Sequence, residues 1–106
     1  MANQFRNYIL TINNPVQTDE DFFCYVKALP HLKYCTFQRE IGENTCTEHL
    51  QLYIEFNVGK TFDTMKAYFP TAHIESRKGK KQQARDYCQK DETRKDGCKV
   101  TSTATL

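Results

Sequence analysis

The chain has 106 residues, with 15 Lys and Arg against 13 Asp and Glu, a formal net charge of +2. A chain of that length buries about two-thirds of its unfolded surface, enough for one hydrophobic core without staples, which excludes multi-domain readings. The charge is uneven: residues 1–76 carry 6 basic and 9 acidic side chains and residues 77–106 carry 9 and 4, so any pull on an anionic partner is local to the C-terminal part.

In chain order, residues 6–13 read as a strand closed by Asn14-Pro15. A helix opens near Thr18, since Asp19, Glu20 and Asp21 suit a helix N-terminus; Phe22, Phe23, Val26 and Leu29 form its apolar stripe and Pro30 ends it. Residues 33–41 alternate, with Cys35, Phe37 and Ile41 on one side, Thr36, Gln38 and Glu40 on the other, and Arg39 interrupting the apolar side. A second alternating run follows at 48–56, where Leu50, Leu52, Ile54 and Phe56 oppose His49, Gln51, Tyr53 and Glu55. That pattern predicts a half-buried strand with a polar face. Gly42-Glu43-Asn44-Thr45 has turn composition, so an antiparallel hairpin is expected; with Asn44 and Thr45 at its tip, Glu40 pairs with His49 and Gln38 with Gln51.

A second helix is expected over about 61–68, turning Phe62, Met65 and Phe69 inward before Pro70, then a short strand at 72–76. Residues 79–90 are helix-compatible, with good formers and no internal proline. The order predicts an α+β fold: a ferredoxin-like or RRM-like central antiparallel sheet of about five strands, flanked by helices. After Asp91 the hydrophobic periodicity stops, and Thr101-Ser102-Thr103-Ala104-Thr105-Leu106 has the composition of a loose tail or linker.

Directly opposed residues on a sheet face have Cβ atoms about 5 Å apart, so in this register Glu40, His49 and Gln51 can converge on one cation. Carboxylate, imidazole and amide oxygen form a hard set, favouring Mg²⁺ or Mn²⁺ over zinc. The plain alternative is a solvated outer face. On the last helix Tyr87 and Lys90 stand at i and i+3 and share a face. A tyrosine phenol has a reference pKa of about 10, so its phenolate at pH 7 costs about 4 kcal/mol, which a neighbouring cation offsets. The plain alternative is a tyrosine packed on the sheet beside a solvated lysine. Arg77, Lys78, Lys80, Lys81 and Arg85 lead into that helix, where phosphates would need neutralising. His31, in a loop, reads as exposed; His73, on the short strand, could touch DNA, an ordinary structural role being the favoured reading, and neither enters the catalytic set.

Five cysteines, at 24, 35, 46, 88 and 98, form no CxxC pair and leave an odd one over, pointing to a reduced cytosolic or nuclear protein. The first eight residues lack an apolar signal core and no 18 consecutive apolar residues occur, which speaks against secretion and membrane insertion.

Three segments in order, Ile9-Leu10-Thr11-Ile12-Asn13-Asn14-Pro15, His49-Leu50-Gln51 and Tyr87-Cys88-Gln89-Lys90, together resemble motifs I, II and III of the rolling-circle replication initiator (Rep) of circular single-stranded DNA viruses. The circovirus and nanovirus-like branch is the nearest match, because Gln51 stands where many HUH endonucleases have a second His. The resemblance covers about residues 5–92. It implies an HUH endonuclease domain over 1–92, with 93–106 as tail or linker toward a helicase domain whose GxxxxGK[ST] loop is not in this chain. It also implies Glu40, His49 and Gln51 as ligands of Mg²⁺ or Mn²⁺, Tyr87 as nucleophile and Lys90 as the third motif's lysine. Thr11, Asn13 and Asn14, with Arg77, Lys78, Lys80 and Lys81, would hold DNA. The implied activity is nicking and joining of single-stranded viral origin DNA at a stem-loop nonamer, through a 5′-phosphotyrosine, in the host nucleus. Other Rep protomers are the expected protein partners of a longer chain, and no membrane partner is expected. Leu52 departs from the Gly common after His-x-Gln, but it falls on the apolar face.

Two other classes compete. A non-catalytic RRM-like single-stranded nucleic-acid binder would stack bases on Tyr8, Tyr34 and Tyr53, although the Gly-aromatic run of an RNP1 motif is missing. A small interaction domain would use the polar sheet face as a partner surface.

Overall fold

The computed structural model of the chain describes residues 3–42 and 47–103. The elements are β1 (Gln4–Asn13), α1 (Asp19–Lys27), β2 (Leu32–Ile41), β3 (Glu48–Thr61), α2 (Phe62–Tyr68), β4 (Ala72–Ser76), α3 (Lys81–Tyr87) and β5 (Thr101–Ser102). The strands form one antiparallel sheet in the order β4-β1-β3-β2-β5. This is the expected α+β, ferredoxin-like arrangement, with β5 added at the edge.

Alternation builds two unlike faces. On one, Leu10, Ile12, Phe37, Leu50, Leu52, Ile54 and Phe56 meet Phe22 and Val26 of α1 and Met65 and the following Phe69. Thr18 caps α1 by accepting from the Asp21 amide at 3.1 Å, and Thr61 caps α2 in the same way through Thr64. Phe62 does not turn inward as expected. It is 45% exposed and meets the Tyr8 ring edge-on at 5.7 Å, because the first turn of α2 lies at the margin of the sheet.

The register came out as the alternation predicts: Glu40 lies opposite His49 and Gln38 opposite Gln51. The expected tip, Asn44 and Thr45, lies outside the described residues. The expectation of a half-buried β3 is corrected, since every residue from Leu50 to Phe56 is buried. Its second face is covered by α3 and the residue that follows it, with Ala84 and Cys88 packing against Tyr34 and Tyr53.

The loose tail expected at 101–106 is corrected for Thr101 and Ser102, which pair with Phe37 and Thr36. The segment 94–103 lies along the free edge of β2: the Lys95 amide donates to the Arg39 carbonyl at 2.8 Å and Arg94 forms a backbone bridge with Glu40. Its polar composition concealed this because the edge is satisfied by backbone hydrogen bonds rather than by apolar burial. Arg94 fixes the segment. Its Nε donates to Gln38 Oε1 and its Nη2 to the Gln89 carbonyl, both at 2.8 Å. Arg94→Ala would leave the fully buried Gln38 oxygen without its donor and should cost about 1–3 kcal/mol. A urea melt checks this, with the midpoint falling at unchanged m-value; an unmoved midpoint would remove Arg94 from the fold's support.

Candidate active site

The polar row of the sheet's second face runs His49, Gln51, Tyr53, Glu55 on β3, beside Thr36, Gln38 and Glu40 on β2 and Ile9 and Thr11 on β1. Glu40 is 1% exposed. One of its oxygens, Oε1, lies 2.9 Å from His49 Nε2, and the other accepts from Gln38 Nε2 at 2.8 Å. A buried carboxylate needs a cation or donors to offset its desolvation. Here they are the imidazole, the Gln38 amide and, at 3.9 Å, Lys90 Nζ.

Gln51 is on the same face but leans to β1. Its Nε2 donates to the Leu10 carbonyl at 3.1 Å, and its Oε1 accepts from Thr11 Oγ1 at 3.2 Å. Glu40 and His49 are therefore in contact, while Gln51 bonds to the other neighbouring strand. Among the described residues no group of three or more His, Cys, Asp and Glu stands together as a metal cradle. The donor types nonetheless fit a hard divalent cation: a buried carboxylate oxygen held against an imidazole nitrogen, with an amide oxygen next along the row.

α3 is shorter than the helix expected over 79–90, ending at Tyr87 with Cys88 as its C-cap. Lys90 lies beyond the helix, so the helical i, i+3 reason for its nearness to Tyr87 is corrected. The contact exists by another route: the chain turns after Cys88, the Lys90 carbonyl accepts from Gln38 Nε2 at 2.7 Å, and Lys90 Nζ sits 3.7 Å from the Tyr87 ring centroid. Ala84 and Cys88, four residues apart, both face the sheet, which rotates Tyr87 off the buried side and leaves it 49% exposed. Burial, followed by the nearby Glu40 carboxylate, pushes the Cys88 thiol up to about 12.

The basic segment is divided. Arg77 Nη1 donates to the Tyr53 hydroxyl at 2.8 Å and lies 3.8 Å from Glu55 Oε2, while Lys81 Nζ is 3.6 Å from Glu55 Oε1. Lys78 and Lys80 are exposed and, with Tyr87, Ile9 and Glu75, line a cleft of about 230 Å³. Tyr87, Gln51, Thr11 and Ile9 also line an adjoining cleft of about 220 Å³, together with His73. Its pairing opposite Thr11 on β1 places His73 in the cleft beside Tyr87, where the sequence offers DNA contact as its second reading.

Asn13 is exposed at the end of β1, opposite His49. Asn14 has φ 51, a left-handed conformation that asparagine tolerates better than most residues, and its amide donates to the Glu48 carbonyl at 2.8 Å. Asn14 thus has a backbone reason to be where it is. Arg39, which interrupts the apolar side of β2, binds Asp19 and Glu48 at 3.0 and 3.2 Å beside the start of α1. Lys95 also bonds Glu48, and first through that bond and then through Arg39 the Glu48 carboxyl is held below its ordinary range. Tyr8, Tyr34 and Tyr53, the stacking platform that an RRM-like binder would need, are all buried at 4% exposure or less.

The family model described as "Putative viral replication protein" matches residues 5–91. The chain belongs to that family. It is 37% identical over 101 residues to the master replication protein of banana bunchy top virus, covering 92% of this chain and 31% of that protein. With the master replication protein of milk vetch dwarf virus it shares 35% identity over 97 residues, again covering 92% and 31%. With the replication-associated protein of porcine circovirus 1 it shares 33% over 89 residues, covering 81% and 28%. The chain spans about a third of the length of these curated relatives. The span that the family model matches runs from β1 through α3 and stops before β5.

Proposed function

We propose that this domain nicks and joins single-stranded viral origin DNA to initiate rolling-circle replication. The observation that carries the reading is the position of Lys90, whose ammonium is 3.7 Å from the Tyr87 ring centroid and 3.9 Å from Glu40 Oε1. It joins an exposed phenol to the Glu40–His49 pair in one polar patch. Membership of the viral replication protein family supports the same reading.

Glu40 and His49, with Gln51 as third donor, would hold Mg²⁺ or Mn²⁺, which when bound supplies a Lewis acid against a non-bridging oxygen of the scissile phosphate. Tyr87 Oη attacks phosphorus in line, the bond to the 3′ oxygen breaks, and a 5′-phosphotyrosine remains. The phenol's proton ends, in net balance, on the departing 3′ oxygen. Lys90, fixed against Tyr87 and Glu40, supplies positive charge where the phenolate forms. The phosphotyrosine retains the activated phosphate, so a second 3′-OH reverses the step and joins strands without ATP. The host nucleus is the compartment this reading assigns, and further Rep protomers are partners of a longer chain. Incubation with a labelled stem-loop origin strand and Mn²⁺ tests the reading: the expected result is a covalent protein–DNA adduct on a denaturing gel. Binding with no adduct would replace it with a non-catalytic binder.

The Tyr87 phenol at the end of α3 lies beside clefts of about 220–230 Å³, and with single-stranded origin DNA as the proposed substrate, fully paired duplex should be nearly inert. Binding should weaken with salt. Reversing the charge at exposed Lys78 and Lys80 should lower the log-log salt slope by about 1.4, two contacts on a single strand. Equal cutting of duplex and single strand, or an unchanged slope, would count against this placement of the DNA.

A further inference from the structure

The face that carries Tyr87 has a second built feature at its other end. Six residues along β3 from His49, about 20 Å away at strand rise, Glu55 is 2% exposed. Its Oε2 accepts from the Tyr53 hydroxyl, whose own acidity is pushed down by burial and then by this carboxylate. Oε1 is different: among the described residues it has no hydrogen-bond partner, and the Lys81 ammonium forms an ion pair with it at 3.6 Å. A buried carboxylate oxygen that is ion-paired but accepts no hydrogen bond leaves part of its desolvation cost uncompensated. Glu55 and Phe56 line a cleft of about 340 Å³, together with Arg6, Lys33, Arg77 and Lys81.

Both strand ladders break at this point. Pairing of β2 with β3 passes from Leu32 opposite Phe56 to Tyr34 opposite Glu55, leaving Lys33 as an extra residue, and pairing of β1 with β3 jumps from Phe5 opposite Lys60 to Asn7 opposite Glu55, so that the extra residues there lie on β3. A bulge redirects the side chain it carries. The β2 bulge thus sends Lys33 to the cleft, Arg6 lines it from the interrupted end of β1, and both cations are exposed.

We propose that this cleft is a nucleotide-binding site, distinct from the Tyr87 patch, which takes the amino group of a nucleobase on Glu55 Oε1 and the phosphate on Arg6 and Lys33. A lone carboxylate oxygen accepts from an exocyclic amine, as carboxylates do from cytosine N4. Thymine offers a carbonyl at the equivalent position and is repelled. Lys81 is the movable cover. Its side chain is 43% exposed on a flexible stem, so an incoming amine displaces it and the released ammonium turns to the phosphate. The volume suits one nucleotide unit. The inference does not depend on Tyr87 chemistry, since it is read as binding without cleavage.

The test is a titration of the whole 106-residue chain in EDTA, followed by amide NMR at Asn7 and Asn57 in the cleft walls. The probes are dCMP, dTMP and short single strands differing by one dC or dT. The expected result is about a tenfold preference for the cytosine probe, corresponding to one good base contact. Glu55→Gln should erase the preference, and Lys33→Glu should weaken cytosine and thymine probes alike. Selective dCMP binding would identify a free nucleotide as the ligand, whereas discrimination only within strands would identify a nucleotide of the bound DNA; both support the site. No preference in either probe, or one that survives in folded Glu55→Gln, overturns it. If Glu55→Gln does not fold, Lys33→Glu decides: unchanged affinity for all probes overturns the site. An absent Tyr87 adduct would leave this result standing, so the two readings fail separately.

Discussion

Tyr87→Phe should bind single-stranded origin DNA within about threefold of the parent yet form no covalent adduct, with nicking reduced about a thousandfold or more. The asymmetry follows from what the substitution removes. The hydroxyl is the proposed attacking atom, whereas the ring, which is half exposed and lies under Lys90 at 3.7 Å, remains, and with it the cation–π contact. α3 should be unaffected, because its buried contact comes from Ala84 on another side of the helix, with Cys88 buried just past its end. The measurement is a denaturing gel with 5′- and 3′-labelled strands, beside fluorescence anisotropy for binding. A variant that still formed an adduct would move the nucleophile elsewhere, and lost binding would mean that Tyr87 holds DNA rather than attacks it.

The second large effect concerns Glu40. Glu40→Gln keeps the shape and the contact with Gln38 but removes the charge, so Mn²⁺ affinity and nicking should both fall by about a hundredfold. His49→Ala should do the same to nicking. It should also cost about 1–3 kcal/mol of stability, since it strips one partner from a carboxylate that is 1% exposed and leaves Lys90 at 3.9 Å as its nearest cation. Thermal melting separates the two contributions, because Glu40→Gln should melt close to the parent. Metal binding read by calorimetry gives a measure independent of activity. Nicking that continues in excess EDTA would remove the metal from the mechanism.

Much of this domain was legible in the sequence wherever a local rule decides. Strict alternation placed Leu50, Leu52, Ile54 and Phe56 inward, and turn composition after Ile41 set the register that brings Glu40 to His49. Acidic residues after Thr18 marked the start of α1, and β4 was expected over the span at which it forms. Three ordered motifs pointed to the family, because their spacing is a joint constraint that single residues do not carry.

Other features were settled only by the tertiary structure. Whether Thr36, Gln38 and Glu40 meet water or protein depends on what lies over them, and their covers, Gln89, Lys90 and Arg94, are more than 50 residues away in the chain. The segment after residue 93 has no apolar pattern because it is held by an open strand edge, and an edge is a property of the sheet rather than of the segment. Lys90 meets Tyr87 across a turn rather than along a helix, since the helix ends where Cys88 turns into the core. Arg77 reads as one cation in a basic run, yet the fold turns it to Tyr53 and Glu55. A buried carboxylate requires a positive partner, and that requirement outweighs the solvation of a surface arginine.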